Sequence, residues 1–337
     1  MRVLILRKLF IFVPMAKLTD KYWGFFRRFK PAYHLFNLSK GSKLNRNRRL
    51  YKQYGIKKSV FAPISSADFE HLPDARPWSD TTNDLSQMEG WVDLSPAIRE
   101  ALEATWIKGG YAILKSHFSE DFVDEVNAEV DALMSDGAID FNYSGKKIMF
   151  AYKEGKRLGQ IADDPEIMKA LNFLAGKKMV PFQSINFTKS SEQRTHSDSI
   201  HMTSYPLGHL TAAWVALEDI GPDQGPLKYY PGSHKFPYVL NKSFDHGGSK
   251  YLLGEDAYLH YEEHIQKLLK EKQPEPAIFN PKKGDVFIWH ANLLHGAVKM
   301  NQPELTRKSM VVHYFSPEVI CYHELTQRPA LIDYKEA

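Results

Sequence analysis

The sequence predicts an α+β fold in which helices come first and a β-sandwich or jelly-roll core follows. Three observations carry that expectation. Between residues 95 and 176, apolar residues recur at helical spacing behind good helix starts. After Met179 the pattern changes to short β segments, and turn-rich stretches separate them. The chain has 337 residues, room for one large domain or two modest ones.

Taken in order, the first element is an arm. Residues 1–60 hold 16 Lys/Arg and one acid, Asp20, a local charge of +15; the rest holds 28 basic and 39 acidic residues, a charge of −11. Val3–Leu6, Leu9–Val13, Trp23, Phe25, Phe26 and Phe29 are interleaved with Arg and Lys, which suits a partly amphipathic segment on an anionic membrane surface. A helix packed on the body with its charges solvated is the plainer alternative. Arg7 and Lys8 interrupt the apolar stretch, so it does not read as a signal peptide. Residues 39–58 read as an exposed tether, with Arg46, Arg48, Arg49 and Lys52 solvated. No recognition motif accompanies the charge, so no nucleic acid partner is expected. Residues 61–95, with Pro63, Pro73 and Pro77, read as a connection that hugs the surface.

The body spans 96–320. Ser95-Pro96 starts a helix that Gly109-Gly110 end, and Tyr111–Leu114 follows as a strand. Ser119 caps a second helix through Val126 and Leu133; Asp164-Pro165 opens a third, stopped near Gly176. Strands are expected at Phe182–Thr188, Leu210–Leu217, Leu227–Tyr230, Val286–Trp289 and Ser309–Phe315. Residues 235–283, with a helix from His260 to Lys272, read as an insertion or lid, and 321–337 as a C-terminal tail. One cysteine, Cys321, excludes an internal disulfide and any cysteine-based metal cluster. With no apolar run near the roughly 20 residues of a membrane span, the expected location is cytoplasmic, with the arm offering a peripheral membrane contact.

The chemistry gathers around His196-Ser197-Asp198. In an extended segment residues i and i+2 point to one side, so an imidazole and a carboxylate there can take adjacent positions on one metal. A distant third ligand would complete a facial triad with open positions for a cosubstrate and dioxygen. His295, before Gly296 and after the strand ending at Trp289, is the best candidate, and His290 competes with it. Arg307 or its neighbour Lys308, on the last of these strands, offers a cation for an anionic cosubstrate; neighbours in a strand face opposite ways, so only one points inward. Gln183 and Thr188, on the strand before the triad, are candidate cosubstrate contacts, with core and surface roles as the alternatives. His201 and His234 read as ordinary packed residues.

His196-Ser197-Asp198, Thr211–Leu217, Gly225-Pro226-Leu227 through Pro231-Gly232-Ser233-His234-Lys235, and His295-Gly296 with Arg307 together resemble the phytanoyl-CoA dioxygenase family. The features arrive in that family's order across roughly 97–318. The resemblance implies a double-stranded β-helix core, with iron(II) on His196, Asp198 and His295. It favours His295 over His290 and Arg307 over Lys308, and it implies 2-oxoglutarate bound through Arg307 with Trp214 nearby. It implies oxidative decarboxylation to succinate and CO2 with O2 as oxidant, then hydrogen abstraction and hydroxylation of a small-molecule or lipid-like substrate. The family also contains halogenases whose carboxylate ligand is replaced by a small residue; the intact Asp198 favours hydroxylation or a related oxidation. Desaturation, epimerisation or cyclisation at the same iron, and a non-catalytic jelly-roll binding module, are the alternatives. Tyr229, Tyr230 and the insertion are expected to bear on specificity.

Overall fold

The change of pattern after Met179 marks an antiparallel core. The computed structural model describes residues 28–142, 145 and 147–332; the membrane-surface reading of residues 1–27 lies outside them. Six strands make one antiparallel sheet in the order β1 (Tyr111–Leu114), β8 (Val286–His290), β5 (Leu210–Ala216), β10 (Ser309–Phe315), β3 (Val180–Phe187) and β2 (Ile148–Met149). Two three-stranded sheets complete the barrel-like body. One runs β7 (Ala277–Phe279), β6 (Leu227–Tyr229), β9 (His295–Ala297), and the other β12 (Arg328–Pro329), β11 (Ile320–His323), β4 (Thr203–Tyr205).

Alternation along the strands divides the large sheet into two chemistries. Ala213, Val215, Val286, Ile288, Met310 and Val312 point outward into an apolar layer with helical residues such as Ile98, Leu102, Val126 and Leu171. Trp214, Phe287, Trp289 and Val311 point inward, against Leu227, Tyr229 and Phe279 of the facing sheet. This is the jelly-roll arrangement expected from the sequence. The inward face carries the site.

The outer helices follow their end signals. In α4 (Pro96–Gly109) Pro96 occupies the first turn and Gly110, at φ 78°, ends it; the Ser95 side chain makes no capping bond, contrary to its expected role. Ser119 does cap α5 (Glu120–Ser135), accepting from the Phe122 amide. Before α7 (Pro165–Ala175), whose cap is Asp164, lies α6 (Lys156–Ala162), which the sequence reading did not separate.

Three expectations need correction. The stretch read as an exposed tether is folded: after α1 (Lys30–Leu38) come α2 (Gly41–Leu44) and α3 (Arg46–Gln53). Leu44, Leu50 and Tyr51 are buried, and Leu50 and Tyr51 pack with Ile64, Phe69 and Tyr322. Arg46 is not a solvated cation, because its guanidinium donates to the Pro317 carbonyl. The supposed tail begins inside a sheet, since β11 and β12 occupy 320–329 and Cys321 and Tyr322 are buried. The insertion contains α8 (Ala257–Lys272), and its last part, β7, is a strand of the core.

Candidate metal centre and cosubstrate pocket

His196, Asp198 and His295 converge on the inner face. Their ligand-capable atoms lie within 4.8 Å of one another, the one such group of His, Cys, Asp or Glu found among the described residues. Backbone pairing brings them together: His196 and His295 exchange both amide–carbonyl bonds across an isolated bridge, each at 2.9 Å. Asp198 follows two residues on, its Oδ1 3.8 Å from His196 Nε2 and 3.6 Å from His295 Nε2.

The ring nitrogens are set for metal binding. His196 Nδ1 lies 2.8 Å from the Arg194 carbonyl and His295 Nδ1 lies 2.9 Å from the Leu293 carbonyl. A carbonyl only accepts, so both Nδ1 atoms carry the proton and both Nε2 lone pairs face the carboxylate. Burial, then the nearby His295, holds His196 well below its ordinary pKa and so neutral. Burial works against ionisation of Asp198, but His295, His313 and His196 outweigh it and keep the carboxyl below its usual range. Two imidazoles with Nε2 turned to the carboxylate, and the carboxylate itself, suit a divalent first-row metal.

Two residues that sequence reasoning missed hold the other carboxylate oxygen. Trp289 Nε1 donates to Asp198 Oδ2 at 2.8 Å, and His313 Nε2 lies 3.5 Å from it. Strand parity was the available signal: Trp289 shares a face with Phe287, and His313 with Val311.

The Pro231–Lys235 turn explains how His295 is delivered. Ser233 Oγ accepts from the Leu294 amide at 2.9 Å, and Tyr230 N donates to the Leu294 carbonyl at 2.9 Å. Asn292 Nδ2 donates to the His234 and Phe236 carbonyls. The turn therefore clamps the loop preceding His295, and His234 itself stays outside the His–Asp–His cluster.

Arg307 lies in the same cavity and is 3% exposed. One guanidinium nitrogen reaches Ser309 Oγ at 3.3 Å, Nε has no partner, and no carboxylate is within ion-pair distance among the described residues. The group stacks over Trp214 at 5.0 Å and Phe187 at 5.9 Å. Burial lowers its pKa to about 10, with Glu218 opposing. A buried cation without an anion is costly, and a carboxylate entering the cavity would relieve that cost. Lys308 is half-buried, with its amide donating to Glu218.

The other candidates fall elsewhere. Thr188 touches the site only through its carbonyl, which accepts from the Arg307 amide at 2.8 Å. Gln183 shares a strand face with Ile185 and Phe187 but lies outside the cavity lining. His290 is turned the other way and engages Asp80 at 3.2 Å. His201 stands 6.0 Å from His196, ring to ring, beside Tyr258 and His323. Lys147, which donates to Gln193 at 3.3 Å, also lines the cavity.

A family model described as phytanoyl-CoA dioxygenase matches residues 106–301, more than half of the chain. Human peroxisomal phytanoyl-CoA dioxygenase is 24% identical over 177 residues, 50% of this chain and 48% of that protein. The mouse protein is 22% identical over 241 residues, 64% and 67%. The chain thus spans about half the length of the human relative. Among solved structures, the non-heme alpha ketoglutarate dependent carbocyclase SnoK from nogalamycin biosynthesis superposes with a TM-score of 0.57 at 18% identity, covering 73% of this chain and 96% of that one. EctD from S. alaskensis, with 2-oxoglutarate and 5-hydroxyectoine, gives 0.56 at 21% identity, covering 78% and 91%. These likenesses establish the double-stranded β-helix fold. The family match over more than half its length shows that the chain belongs to the phytanoyl-CoA dioxygenase family.

Proposed function

We propose that the chain is an iron(II)- and 2-oxoglutarate-dependent oxygenase that hydroxylates a small-molecule or lipid-like substrate. One observation carries the reading: a His–Asp–His cluster shares its cavity with a buried guanidinium that no carboxylate meets. His196, Asp198 and His295 would hold iron(II), which couples O2 reduction to decarboxylation of 2-oxoglutarate, releasing succinate and CO2. Arg307 binds the distal carboxylate of the cosubstrate in place of water. Trp214 and Phe187 flank the guanidinium, and Trp289 fixes the Asp198 carboxylate so that the ligand oxygen keeps its direction.

Anaerobic titration with iron(II) and 2-oxoglutarate tests this reading through the weak visible charge-transfer band of the chelate. The band should appear in the wild type and be lost or weakened in Asp198→Ala and Arg307→Ala. No band in folded wild-type protein would reject the oxygenase and favour a non-catalytic binding module. Product mass then separates hydroxylation, which adds an oxygen, from desaturation, which removes two hydrogens, and from epimerisation, which changes neither.

A second surface supports a peripheral membrane contact. Leu35, Phe36 and Leu38 of α1 are 70%, 54% and 50% exposed. Residues 28–60 hold ten Lys/Arg and no acid. An apolar crest in a cationic field fits the interface of an anionic bilayer. Cosedimentation of the full chain with anionic vesicles should fall in the Leu35→Ser/Phe36→Ser/Leu38→Ser variant and with added salt. Equal partitioning of variant and wild type would reject the bilayer as the partner of this face.

A further inference from the structure

We infer that Tyr261, on the helix of the 235–283 insertion, is a positioning residue of the metal centre. The inference rests on the iron reading above and assigns part of that centre to a segment the family match alone does not single out.

Ser197 separates the two ligands His196 and Asp198. Its neighbours turn their side chains to the cavity, so the handles left on this short segment are the Ser197 amide and hydroxyl. Tyr261, fully buried on α8, takes both: its hydroxyl accepts from the Ser197 amide at 2.9 Å and lies 3.3 Å from Ser197 Oγ. Ser197 Oγ also lies 2.9 Å from Ser199 Oγ, which donates to Asn292 Oδ1 at 3.4 Å. Asn292 belongs to the loop that delivers His295. One chain of hydrogen bonds therefore runs from the insertion helix, through the residue between two ligands, to the loop before the third.

The ring and the hydroxyl of Tyr261 have separable duties. The ring packs against Phe244 at 5.8 Å and among Ile265 and Leu294, a duty phenylalanine would perform equally well. The hydroxyl reaches the metal segment, and without it the Ser197 amide is a buried donor lacking its acceptor. Relief comes from rotation of that peptide, which turns His196 and Asp198 out of their shared direction. The insertion is thus an anchored buttress of the ligand segment rather than a free lid. Tyr258, one turn earlier on the same helix, accepts from Gln193 at 3.2 Å beside the cavity, so the helix touches both the cavity wall and the ligand segment.

Iron(II) affinity and the visible spectrum of the cobalt(II)-substituted protein test this assignment without turnover. Tyr261→Phe should weaken iron(II) binding roughly 10-fold, as loss of an outer hydrogen bond typically does, and alter the cobalt(II) bands. Phe244→Leu, which disturbs the same packing but keeps the hydroxyl, should lower the melting temperature and leave both unchanged. Wild-type affinity and spectrum in Tyr261→Phe would overturn the assignment, whatever happens to its stability. Should that variant not fold, hydrogen exchange of the wild type decides: iron(II) should slow exchange in 257–265 together with 196–198. Unchanged exchange in the helix would reject the coupling. Failure of the wild type to bind iron(II) would instead remove the oxygenase reading, and this assignment with it.

Discussion

Two buried clusters in this protein pair an aspartate with histidines, and strand β8 separates them. On its inner side Trp289 holds Asp198, with His196, His295 and His313 around it. On its outer side the next residue, His290, engages Asp80, with His234 5.7 Å away ring to ring. The residue types match and the chemistry does not. His290 spends both nitrogens: Nε2 donates to Asp80 and Nδ1 accepts from the Asn292 amide at 3.1 Å. His196 and His295 spend only Nδ1, on carbonyls, and leave Nε2 lone pairs aimed at one point. Spare lone pairs suit the inner cluster to the ligand role proposed for it. His290, with both nitrogens engaged, instead braces the 61–95 connection against the core through Asp80.

The largest effect should come from exchanging a histidine in each cluster. His295→Gln removes a ligand and should weaken iron(II) binding by more than the roughly 100-fold upper range for changes outside the ligand shell. His290→Gln should keep iron(II) affinity near wild type. It should cost about 1–3 kcal/mol of stability, because Asp80 stays buried with its hydrogen-bond partner gone. Iron titration and denaturant unfolding of both variants decide the matter. Iron binding lost in His290→Gln and kept in His295→Gln would reverse the assignment.

This same pair shows where the sequence is legible and where it stops. His196 and Asp198 stand out because i and i+2 share a side, and Arg307 because a cation follows a His-Gly pair in a strand. His290 and His295 are both histidines near a strand end, and the residues alone left them as rivals. What separates them is Asp80, 210 residues from His290 in sequence. Trp289 and His313 were within reach of parity alone. Strands of two to four residues such as β2, β9 and β12 were not, because ladder partners rather than periodicity define them. In 39–58 the charge hid a buried stripe: Leu50 and Tyr51 face inward because α3 meets a sheet formed by residues 203–205 and 320–329.

A second contrast sets the partnered outer aspartate against the under-partnered inner arginine. Removing Asp80 breaks a satisfied pair, whereas removing Arg307 deletes a buried charge that has only a serine hydroxyl, carbon and aromatic faces around it. Arg307→Met should therefore leave the melting temperature of the ligand-free protein unchanged or raised, while Asp80→Asn lowers it. The same Arg307→Met should weaken 2-oxoglutarate binding by about 2–4 kcal/mol, roughly 30- to 1000-fold. Melting with and without 2-oxoglutarate reads both effects. A fall in Arg307→Met as large as that in Asp80→Asn, with the cosubstrate-induced shift retained, would show that Arg307 is structural.

The smallest effect sharpens the outer cluster itself and appears as a dependence on pH. Burial, with His290 and Lys235 near the first and Lys177 near the second, lowers the pKa of His234 to about 3 and of His209, a buried histidine that also feels Asp80, to about 4 from an ordinary 6.5. These imidazoles are neutral in the folded protein and take up protons once unfolded. Their contribution is fully present above pH 6.5 and is lost as pH falls from there toward the folded values, at up to about 1.4 kcal/mol per pH unit for each group. Asp80, whose carboxyl is held below its ordinary range by His290 against the opposing effect of burial, adds its own loss only below about pH 3.8. The metal-free protein should thus melt at progressively lower temperature from pH 7 to pH 5, before Asp80 titrates. His234→Gln keeps a polar group at the site but cannot take up that proton, so it should melt with a shallower slope over the same interval. A melting temperature flat between pH 7 and pH 5, or a variant slope equal to that of the wild type, would mean that these imidazoles reach solvent or a proton in the folded state, and that the outer cluster is not the dry brace its hydrogen bonds describe.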